Sequence, residues 1–397
     1  MNDLSLLVLA HRYDFFIKEQ INAVTGYINN IDLIIHHNYF SEVSNYLPSK
    51  GYLSHIKKFT RENVVNSTDK PQNVNIHILP MLYFLPDGKN VRLANKIANK
   101  TERIIKKSNM ETNLVHAHFI LPQGYAAVKL GQKFDIPVII TAHGHDVYDM
   151  PFRDKKWRKR IIWILNQADH IITVSNRNKG IMVKRLGIDK EKISIIPNGF
   201  DGNKFYPKEK KEVREELGLP KNKKIILNVA NLVNVKGQKY LIESIEEISK
   251  RRKDILCIII GSGELKRELE NKIKKSNLGD YIKLAGARHH DEIPLWMNAA
   301  DVFVLPSLNE GNPTAMFEAL GVGLPFVGTK VGGIPEIITS EDYGLLVEPA
   351  NPEDLAEKIL IALDKKWNRE KILNYAEQFT WANIAKETLK IYEKVLR

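Results

Sequence analysis

The chain has 397 residues, too many for one ordinary hydrophobic core and enough for two domains. Its apolar fraction of 43% supports packed cores and excludes a largely disordered chain. The single cysteine, Cys257, excludes an intrachain disulfide and favours a reducing compartment; its position in the apolar stretch DILCIII predicts a buried strand residue.

Charge is distributed unevenly between the two halves. Residues 1–200 carry 28 Lys and Arg against 17 Asp and Glu, whereas residues 201–397 carry 31 against 30. An excess of positive charge in the first half is compatible with nucleic acid, an anionic membrane or a phosphorylated substrate as partner.

The first element, LSLLVLA, is too short for a signal peptide and lacks a basic flank, so it predicts a first buried strand. No apolar run approaches the roughly 20 residues of a membrane span. We therefore expect a cytoplasmic protein.

Short Val/Ile/Leu runs alternate with amphipathic stretches along the whole chain. Continuous apolar runs of this kind are typical of strands buried on both faces, and their alternation with helices predicts parallel sheets. The predicted strands are LSLLVLA, DLIIH, NVNIHIL, NLVHAH, PVIITAH, HIITVS and ISIIP, then KIILNVA, ILCIIIG, YIKLAG, VFVLPS, PFVGT and GLLVEP. The clearest predicted helices are 90–107, 237–250, 264–276 and 352–364.

A charged, turn-rich stretch at 196–224 interrupts this alternation and indicates a domain boundary near residue 200. The predicted fold is α/β, with Rossmann-like domains at 1–200 and 201–379. A last helix, 380–397, is expected to pack back on the first domain. Ligands of such sheets bind beyond the carboxyl ends of the strands, so the site is expected in a cleft between the domains.

The stretch SLNEGNPTAMFEALG, at 307–321, carries two glutamates eight positions apart. Glu310 is expected on the loop after a strand, with Asn312 as helix N-cap and Pro313 as the first helical residue. Free N–H groups at 312–316 can bind phosphate, and Glu318 can accept hydrogen bonds from a ribose. The alternative is an ordinary capped helix with two solvated acids.

A second strand, loop and helix follow in PFVGTKVGGIPEII. Together with the glutamate pair, these residues resemble the retaining glycosyltransferase family 4, whose fold is GT-B. HAHFILPQG, VIITAHGHDV, ADHIITVS and IPNGFD resemble its acceptor-domain motifs, and VANLVNVKG, IIIGSGE, IKLAG and ADVFVLPSLNEG resemble its donor-domain motifs.

The resemblance implies roles for individual residues. It places Glu310 near the donor sugar, Glu318 on the nucleotide ribose, Lys236 on the diphosphate and His143 near the reaction centre. The catalytic set is then His143, Glu310 and Lys236. It also implies a donor-binding set: Glu318, Gly311, Asn312, Pro313, Thr314, Asn231, Gly261, Gly263 and Ala285.

Three positions depart from the family pattern. Asn231 stands where the family has an arginine on the diphosphate, and Pro313 stands where it commonly has glycine. The loop after the first strand, AHRYDFFIKEQ, lacks the family's Gly-Gly pair, and His11, Arg12 or Phe16 is expected to take its place.

The implied reaction is front-side retaining transfer from a UDP- or GDP-linked sugar to a glycan or lipid-linked acceptor. We expect neither a metal nor a cofactor, because the chain has no Asp-x-Asp motif and enzymes of this fold usually need no metal. Zinc binding by His143 with His145, or by His116 with His118, is a minor alternative.

Three other functions are compatible with parts of the sequence. A nucleotide-sugar epimerase would share the fold, and a non-catalytic partner subunit would account for Asn231 and Pro313. A nucleic-acid-binding protein would account for the basic half, but the basic residues are scattered and show no recognition motif, so no nucleic-acid partner is expected.

Residues 151–165, PFRDKKWRKRIIWIL, predict a helix with a basic face and an apolar face. One interpretation is a domain helix that buries Ile161, Ile162 and Leu165. The other adds weak contact of the basic face and Trp157 with an anionic membrane, which would place the protein peripherally on its inner face.

Overall fold

The computed structural model describes residues 3–44, 60–82 and 91–397. The chain separates into two compact units, Met1–Pro197 with Ile384–Arg397 and Asn198–Asn383. Both are α/β, and each is built on a parallel sheet with helices packed on its faces.

In the described part of the first unit, seven parallel strands form one sheet in the order β3-β2-β1-β4-β5-β6-β7. Every residue of the central strands SLLVLA, LVHAH and VIITA is buried, which accounts for their mainly apolar sequences; LVHAH also buries two histidines. The strands are β1 (Ser5–Ala10), β2 (Asn30–Asn38), β3 (Val74–Met81), β4 (Leu114–His118), β5 (Val138–Ala142), β6 (His170–Thr173) and β7 (Ile193–Ile195).

The described helices of the first unit cover this sheet with amphipathic faces. They are α1 (Phe15–Val24), α2 (Tyr39–Ser44), α3 (Arg61–Val64), α4 (Val91–Lys107), α5 (Tyr125–Phe134), α6 (His145–Tyr148), α7 (Met150–Arg153), α8 (Lys155–Gln167) and α9 (Asn176–Leu186). In α4 the buried side chains Leu93, Ala94, Ile97 and Ala98 recur at helical spacing. Residue 90, the first predicted residue of this helix, lies outside the described residues.

The sheet of the second unit has six parallel strands in the order β10-β9-β8-β11-β12-β13. Cys257 is buried in β9, opposite Ile226 and Ile282, and burial raises the pKa of its thiol. The prediction of a buried strand cysteine is confirmed. The strands are β8 (Lys224–Val229), β9 (Ile255–Ile260), β10 (Ile282–Gly286), β11 (Val302–Leu305), β12 (Phe326–Thr329) and β13 (Gly344–Val347).

The four helices predicted after residue 200, at 237–250, 264–276, 352–364 and 380–397, are present with ends within two residues of the prediction. The helices of this part of the chain are α10 (Lys210–Glu216), α11 (Gln238–Arg251), α12 (Lys266–Lys275), α13 (Ile293–Ala299), α14 (Thr314–Gly321), α15 (Ile334–Ile337), α16 (Pro352–Asp364), α17 (Arg369–Ala376) and α18 (Trp381–Leu396). From Ile384 onwards, α18 belongs to the first unit. In the described ranges, no helix has both the length and the apolar character that a membrane span requires.

Each sheet has one point at which the strand order reverses. In the first unit it lies between β1 and β4, and in the second between β8 and β11. Loops that leave the carboxyl ends of two such strands diverge and open a crevice, which is where ligands of these folds bind. The loops after β1 and β4, and those after β8 and β11, are therefore the first places to look for chemistry.

Candidate active site

An ion pair occupies the reversal point of the second unit. Lys236, on the loop after β8, places Nζ 2.6 Å from Oε1 of Glu310, on the loop after β11. Ser307 donates its hydroxyl to the same oxygen at 2.6 Å. The side chains of Lys236 and Glu310 are 23% and 8% exposed, so water screens the pair only partly. The structure thus brings together two of the three predicted catalytic residues.

Close backbone contacts fix the loops that carry this pair. A Cβ on Gly237, where φ is +67°, would lie 2.0 Å from the carbonyl oxygen of Pro306, and one on Gly332, where φ is +59°, would lie 2.0 Å from that of Glu310. The Leu308 N–H also donates to the Val235 carbonyl at 2.7 Å. Any other residue at either glycine would push neighbouring loops apart.

Helix α14 begins one residue later than predicted. Its N-cap is Pro313, whose side chain has no hydrogen-bond acceptor to cap the helix, and Thr314 is the first helical residue. Asn312 does not cap the helix because its side chain is used elsewhere: Oδ1 accepts a hydrogen bond of 2.8 Å from the Asn198 N–H. The backbone carbonyl of Asn312 accepts a second one, of 2.7 Å, from Asn198 Nδ2. The prediction of Asn312 as N-cap and Pro313 as first helical residue is therefore wrong. The first turn has no side-chain cap, but the Met316 N–H donates to the Pro313 carbonyl at 3.2 Å, so the prediction of free N–H groups throughout 312–316 is wrong at Met316.

Glu318 lies inside α14 with a side chain only 7% exposed. Its Oε1 accepts a hydrogen bond of 2.8 Å from Nε2 of His290, whose side chain is 17% exposed. His290 lies in a 3₁₀ turn after β10, 28 residues before Glu318 in the chain. No motif or spacing in the sequence singles out this histidine.

The remaining predicted donor-binding residues lie on the loops around these groups. Asn231 is exposed after β8, and its carbonyl accepts from Gln238 Nε2 at 3.0 Å. A Cβ on Gly261 would lie 1.9 Å from the Ala230 carbonyl oxygen, and one on Gly263 would lie 2.1 Å from that of Leu232. Both glycines are thus required by packing of the protein's own loops; approach of a nucleotide to them stays a prediction.

Gly311 and Ala285, two further predicted donor-binding residues, lie next to backbone hydrogen bonds between loops. Gly311 accepts, at its carbonyl, a hydrogen bond of 2.8 Å from the Gly333 N–H, which ties the glutamate loop to the loop after β12. Ala285 is half-buried in β10, next to the Gly286 carbonyl that accepts from the Gly261 N–H at 2.9 Å.

Imidazole rings occupy the reversal point of the first unit. His143 follows β5, and its Nε2 lies 3.2 Å from Nδ1 of His118 at the end of β4. The two rings are stacked at 5.4 Å, and His118 stacks in turn on His116 at 4.7 Å. His143 Nδ1 is buried, and no hydrogen-bond partner for it is found among the described residues. We call His116, His118 and His143 the histidine stack.

The stack is tied to distant parts of the first unit. His116 Nδ1 lies 2.6 Å from the Tyr392 hydroxyl on α18, and Nε2 lies 2.7 Å from the Thr141 hydroxyl on β5. Burial lowers the pKa of His118 to about 4, and burial with neighbouring imidazoles holds the pKa values of His116 and His143 well below 6.5. All three rings are therefore neutral at pH 7.

A buried carboxyl group shapes the loop after His143. Asp146 Oδ1 accepts from the Gly144 N–H at 2.9 Å, and Oδ2 accepts from the Ile120 N–H at 3.1 Å. Burial raises the pKa of Asp146 to about 6 in spite of these bonds. Asp146 of the HGHD motif therefore holds the loop together, whereas Nε2 of His145 lies 3.1 Å from the half-buried Asp149 and 3.0 Å from Arg153.

The loop after β1 contributes aromatic rings to the same place. His11 lies against Phe119 with ring centroids 4.7 Å apart, and Phe16 lies 5.3 Å from His143. Arg12 forms an ion pair with Asp14 at 3.3 Å. Of the three residues named in place of the missing glycine pair, the two rings lie beside the histidine stack. Burial lowers the pKa of His11 to about 3.

The membrane interpretation of residues 151–165 needs one correction. Trp157 is only 3% exposed and packs in the core with Ile161 and Leu165, so it does not reach a surface. The start of α8 is fixed by Asp154, whose side chain accepts hydrogen bonds from the Lys156 and Trp157 N–H groups. Exposed basic side chains do line the other face of the helix: Lys155, Lys156, Arg158 and Lys159.

Within the part of the chain that the structure describes, no group of three His, Cys, Asp or Glu side chains is arranged to hold a metal ion. His116 and His118, considered as zinc ligands, share one side of β4, but they stack on each other, and both ring nitrogens of His116 contact hydroxyl groups.

Comparisons with known proteins identify the family. Residues 209–379 match the family described as "Glycosyl transferases group 1", and residues 37–204 match "Glycosyltransferase Family 4". An uncharacterized glycosyltransferase of Methanocaldococcus jannaschii is 30% identical over 328 residues, 82% of this chain and 86% of its own length. The chain belongs to glycosyltransferase family 4.

Two other relatives carry more specific names. A putative teichuronic acid biosynthesis glycosyltransferase of Bacillus subtilis is 32% identical over 66% of this chain and 64% of its own length, slightly under two thirds. A UDP-Gal:α-D-GlcNAc-diphosphoundecaprenol α-1,3-galactosyltransferase of Escherichia coli is 30% identical over 66% of this chain and 69% of its own length.

Solved structures establish the GT-B fold. A sucrose-phosphate synthase of Thermosynechococcus elongatus has a TM-score of 0.76 and 20% identity, with 98% of each chain covered. A glycosyltransferase of Rickettsia africae has a TM-score of 0.75 and 21% identity, with 100% of each chain covered. The resemblance inferred from the motifs is confirmed at the level of family and fold.

Sequence reasoning missed three side chains near the predicted residues, Asp146, Ser307 and His290, and it considered His118 only as a possible zinc ligand. Asp146 and His118 stand within motifs already singled out, HGHD and HAH, and Ser307 stands three residues before Glu310. Their proximity to those motifs was a usable signal. His290 had none, because its contact with Glu318 depends on how β10 and α14 lie in the folded unit.

Proposed function

We propose that this glycosyltransferase moves a sugar from a nucleoside diphosphate to a hydroxyl of a glycan or lipid-linked acceptor, with retention of anomeric configuration. In this proposal the second unit binds the donor and the first unit binds the acceptor. The observation that carries it is the pair Lys236–Glu310, which lies at the reversal point of the second sheet on loops held by glycine contacts.

The leaving diphosphate gains negative charge as the bond from the anomeric carbon to its oxygen breaks. A lysine and a helix N-terminus are suitable groups for that charge, since both present donors before the reaction starts. Lys236 and the first turn of α14 supply them in the donor unit. Asn231 adds no charge, so Lys236 contributes a larger share of the charge stabilisation than it would beside an arginine.

Glu310 is better suited to orient the donor than to attack it. Its Oε1 already accepts from Lys236 and Ser307, which fix the carboxylate and reduce its nucleophilicity. We propose front-side transfer: the acceptor oxygen bonds to the anomeric carbon as the bond to the diphosphate oxygen breaks. The acceptor proton passes to the departing phosphate oxygen, so neither a covalent intermediate nor a metal is needed.

In the proposed reaction His143 contributes hydrogen bonds. Its depressed pKa keeps it neutral at pH 7, and its contact with His118 uses Nε2. A neutral imidazole can bind a sugar hydroxyl without adding charge to the oxocarbenium-like transition state.

Names of relatives favour a polysaccharide substrate. The Bacillus subtilis relative is named for teichuronic acid biosynthesis, and the Escherichia coli relative for a UDP-linked donor and a diphosphoundecaprenol acceptor. We infer a UDP-linked donor, with a GDP-linked donor as the second choice, and a polyprenol-diphosphate glycan as acceptor. Weak contact of the exposed basic face of α8 with anionic lipid, at the cytoplasmic face of a membrane, would bring the enzyme to such an acceptor.

The first experiment measures thermal shifts with UDP- and GDP-linked hexoses, because stabilisation by a ligand reports binding without knowledge of the acceptor. A shift with one of these donors but not with the free sugar is the expected result. Radiolabelled donor and a lipid-linked glycan then test transfer, and the anomeric proton coupling of the product tests retention. Donor binding without transfer to any acceptor would instead favour the epimerase or the partner subunit.

A further inference from the structure

The carboxylate assigned to the ribose has a partner of its own. His290 Nε2 donates to Glu318 Oε1 at 2.8 Å, and both side chains are largely buried. We propose that His290 is a positioning residue that aims Glu318 at the ribose hydroxyls and so makes the site select ribonucleotides over deoxyribonucleotides. This inference rests on the donor role proposed for the second unit.

The structure holds His290 in place by bonds outside the pair. Its turn has a capping box, in which the His289 N–H donates to Glu292 Oε1 at 3.1 Å while the His289 side chain accepts from the backbone. The ring of His290 also lies 5.4 Å from that of Phe205, a buried core residue. The direction of its N–H is therefore set before any ligand arrives.

Fixing one carboxylate oxygen fixes the orientation of the whole group. A carboxylate has about four lone-pair positions, and two adjacent hydroxyls can donate to it only when its plane suits both. A side chain that must be ordered on binding loses conformational entropy, whereas one already held by a neighbour does not. His290 thus makes Glu318 ready to accept from a diol, and a ribose has such a diol at its 2′ and 3′ positions.

A purely structural role is the competing explanation. A buried carboxylate that loses its hydrogen-bond donor destabilises the fold, so loss of His290 could weaken every ligand alike. The two explanations differ in one respect. If His290 acts through Glu318 on the diol, its removal harms binding only of ligands that have the diol.

The test is calorimetric titration of UDP and GDP, and of their 2′,3′-dideoxy forms, into four proteins. These are the wild type, His290→Ala, His290→Gln and His289→Ala. Gln keeps an N–H that can reach Glu318. His289→Ala is the control for disturbance of the turn: it removes the side-chain half of the capping box, but leaves the backbone N–H bond to Glu292 and the Phe205 contact that also hold His290. Circular dichroism melting establishes that each variant is folded.

For the nucleotide that binds, we expect His290→Ala to weaken affinity about tenfold, the scale of one hydrogen bond to a charged group. Its affinity for the dideoxy form should equal that of the wild type, so the preference for ribose falls by the same factor. His290→Gln should recover most of that preference, and His289→Ala should keep it.

Other outcomes separate the two proposals. Equal losses for the ribose and dideoxy forms, or no loss for either, would overturn the role of His290 while leaving donor binding intact. A wild type that binds UDP and its dideoxy form equally would remove Glu318 from the ribose and the inference with it. A wild type that binds none of the four nucleotides would instead contradict the proposed function itself.

Discussion

The reversal points of the two sheets have opposite chemistry. In the second unit, Lys236 and Glu310 form an ion pair and Glu318 is bound by His290, so formal charges dominate. In the first unit, the histidine stack is neutral at pH 7 and its immediate neighbours include Phe16 and Phe119. Diphosphates require compensating charge, whereas sugar hydroxyls require neutral donors and acceptors. Two sheets with the same kind of reversal point thus differ in chemistry: ionised side chains lie at that of the second unit, the charged site, and neutral imidazoles at that of the first, the uncharged site.

The strongest test of this contrast removes the cation of the charged site. Lys236→Ala should lower turnover about 10²–10³-fold, the range found when one preorganised transition-state donor is lost. The cause is loss of charge opposite the leaving diphosphate. Turnover is measured with saturating donor, and stability by thermal melting.

Lys239 offers a matched control, since it is an exposed lysine three residues further along the chain. Lys239→Ala should keep wild-type turnover. Full activity in Lys236→Ala would mean that another group holds the diphosphate.

The uncharged site should respond to acid. The pKa of His118 falls from 6.5 in the unfolded chain to about 4 in the folded one, so the folded state disfavours its protonation. The contribution of neutral His118 to the free energy of unfolding is fully present above pH 6.5. It is lost as pH falls towards 4, where the loss reaches roughly 3 kcal/mol. Urea unfolding between pH 7 and pH 4 measures this loss.

One further observation and one variant sharpen the acid test. Asp146, whose pKa is raised to about 6, acts in the opposite direction. Its contribution to the free energy of unfolding is present below pH 3.8 and is lost as pH rises through 6. His118→Gln should therefore flatten the pH dependence of unfolding. An equally steep loss in that variant would locate the acid sensitivity elsewhere.

Loss of the second carboxylate should affect binding more than catalysis. Glu318→Ala removes a charged acceptor, so donor affinity should fall by about 1.5–3 kcal/mol. Calorimetry with the nucleoside diphosphate gives the value, and turnover at saturating donor should change far less. A folded variant with unchanged affinity would exclude Glu318 from donor binding.

The smallest expected effect per residue concerns the exposed basic face of α8. Each lysine or arginine near an anionic surface contributes about 1 kcal/mol. We expect sedimentation with anionic but not neutral liposomes at low salt, and release when salt is added. Replacing Lys155, Lys156, Arg158 and Lys159 with glutamine should abolish it.

Helix α12 provides a control with the same change in charge. Its exposed Lys266, Arg267, Lys274 and Lys275 also comprise three lysines and one arginine. Their replacement by glutamine should leave sedimentation unchanged. Equal losses in both variants would make the attraction a matter of net charge, and equal binding to neutral liposomes would exclude an electrostatic contact.

Local patterns predicted much of the fold and part of each site. Continuous apolar runs gave the strands, because both faces of the parallel sheets are buried. Lys236 and Glu310 were selected from motifs, and they do meet. The N-cap at Asn312 was wrong because its side chain bonds Asn198, 114 residues away.

The failures were of two kinds, one local and one between distant segments. Trp157 was assigned to a surface because its neighbours are basic, yet the helix periodicity places it with Ile161 in the core. The link from His116 to Tyr392 spans 276 residues, and periodicity carries no information about such a pair. Sequence patterns therefore located the loops of the sites, but not the side chains that hold the functional groups in position.

The glycine contacts of the second unit bear on how such an enzyme could change its donor. Gly237, Gly261 and Gly332 each face a carbonyl oxygen at a separation that admits no Cβ. Moving one of these loops would require coordinated changes in its neighbour, which random single substitutions rarely provide. New donor preferences should therefore arise from side-chain replacements on an unchanged backbone. A mutagenesis library aimed at donor choice should keep these glycines and vary exposed positions such as Asn231.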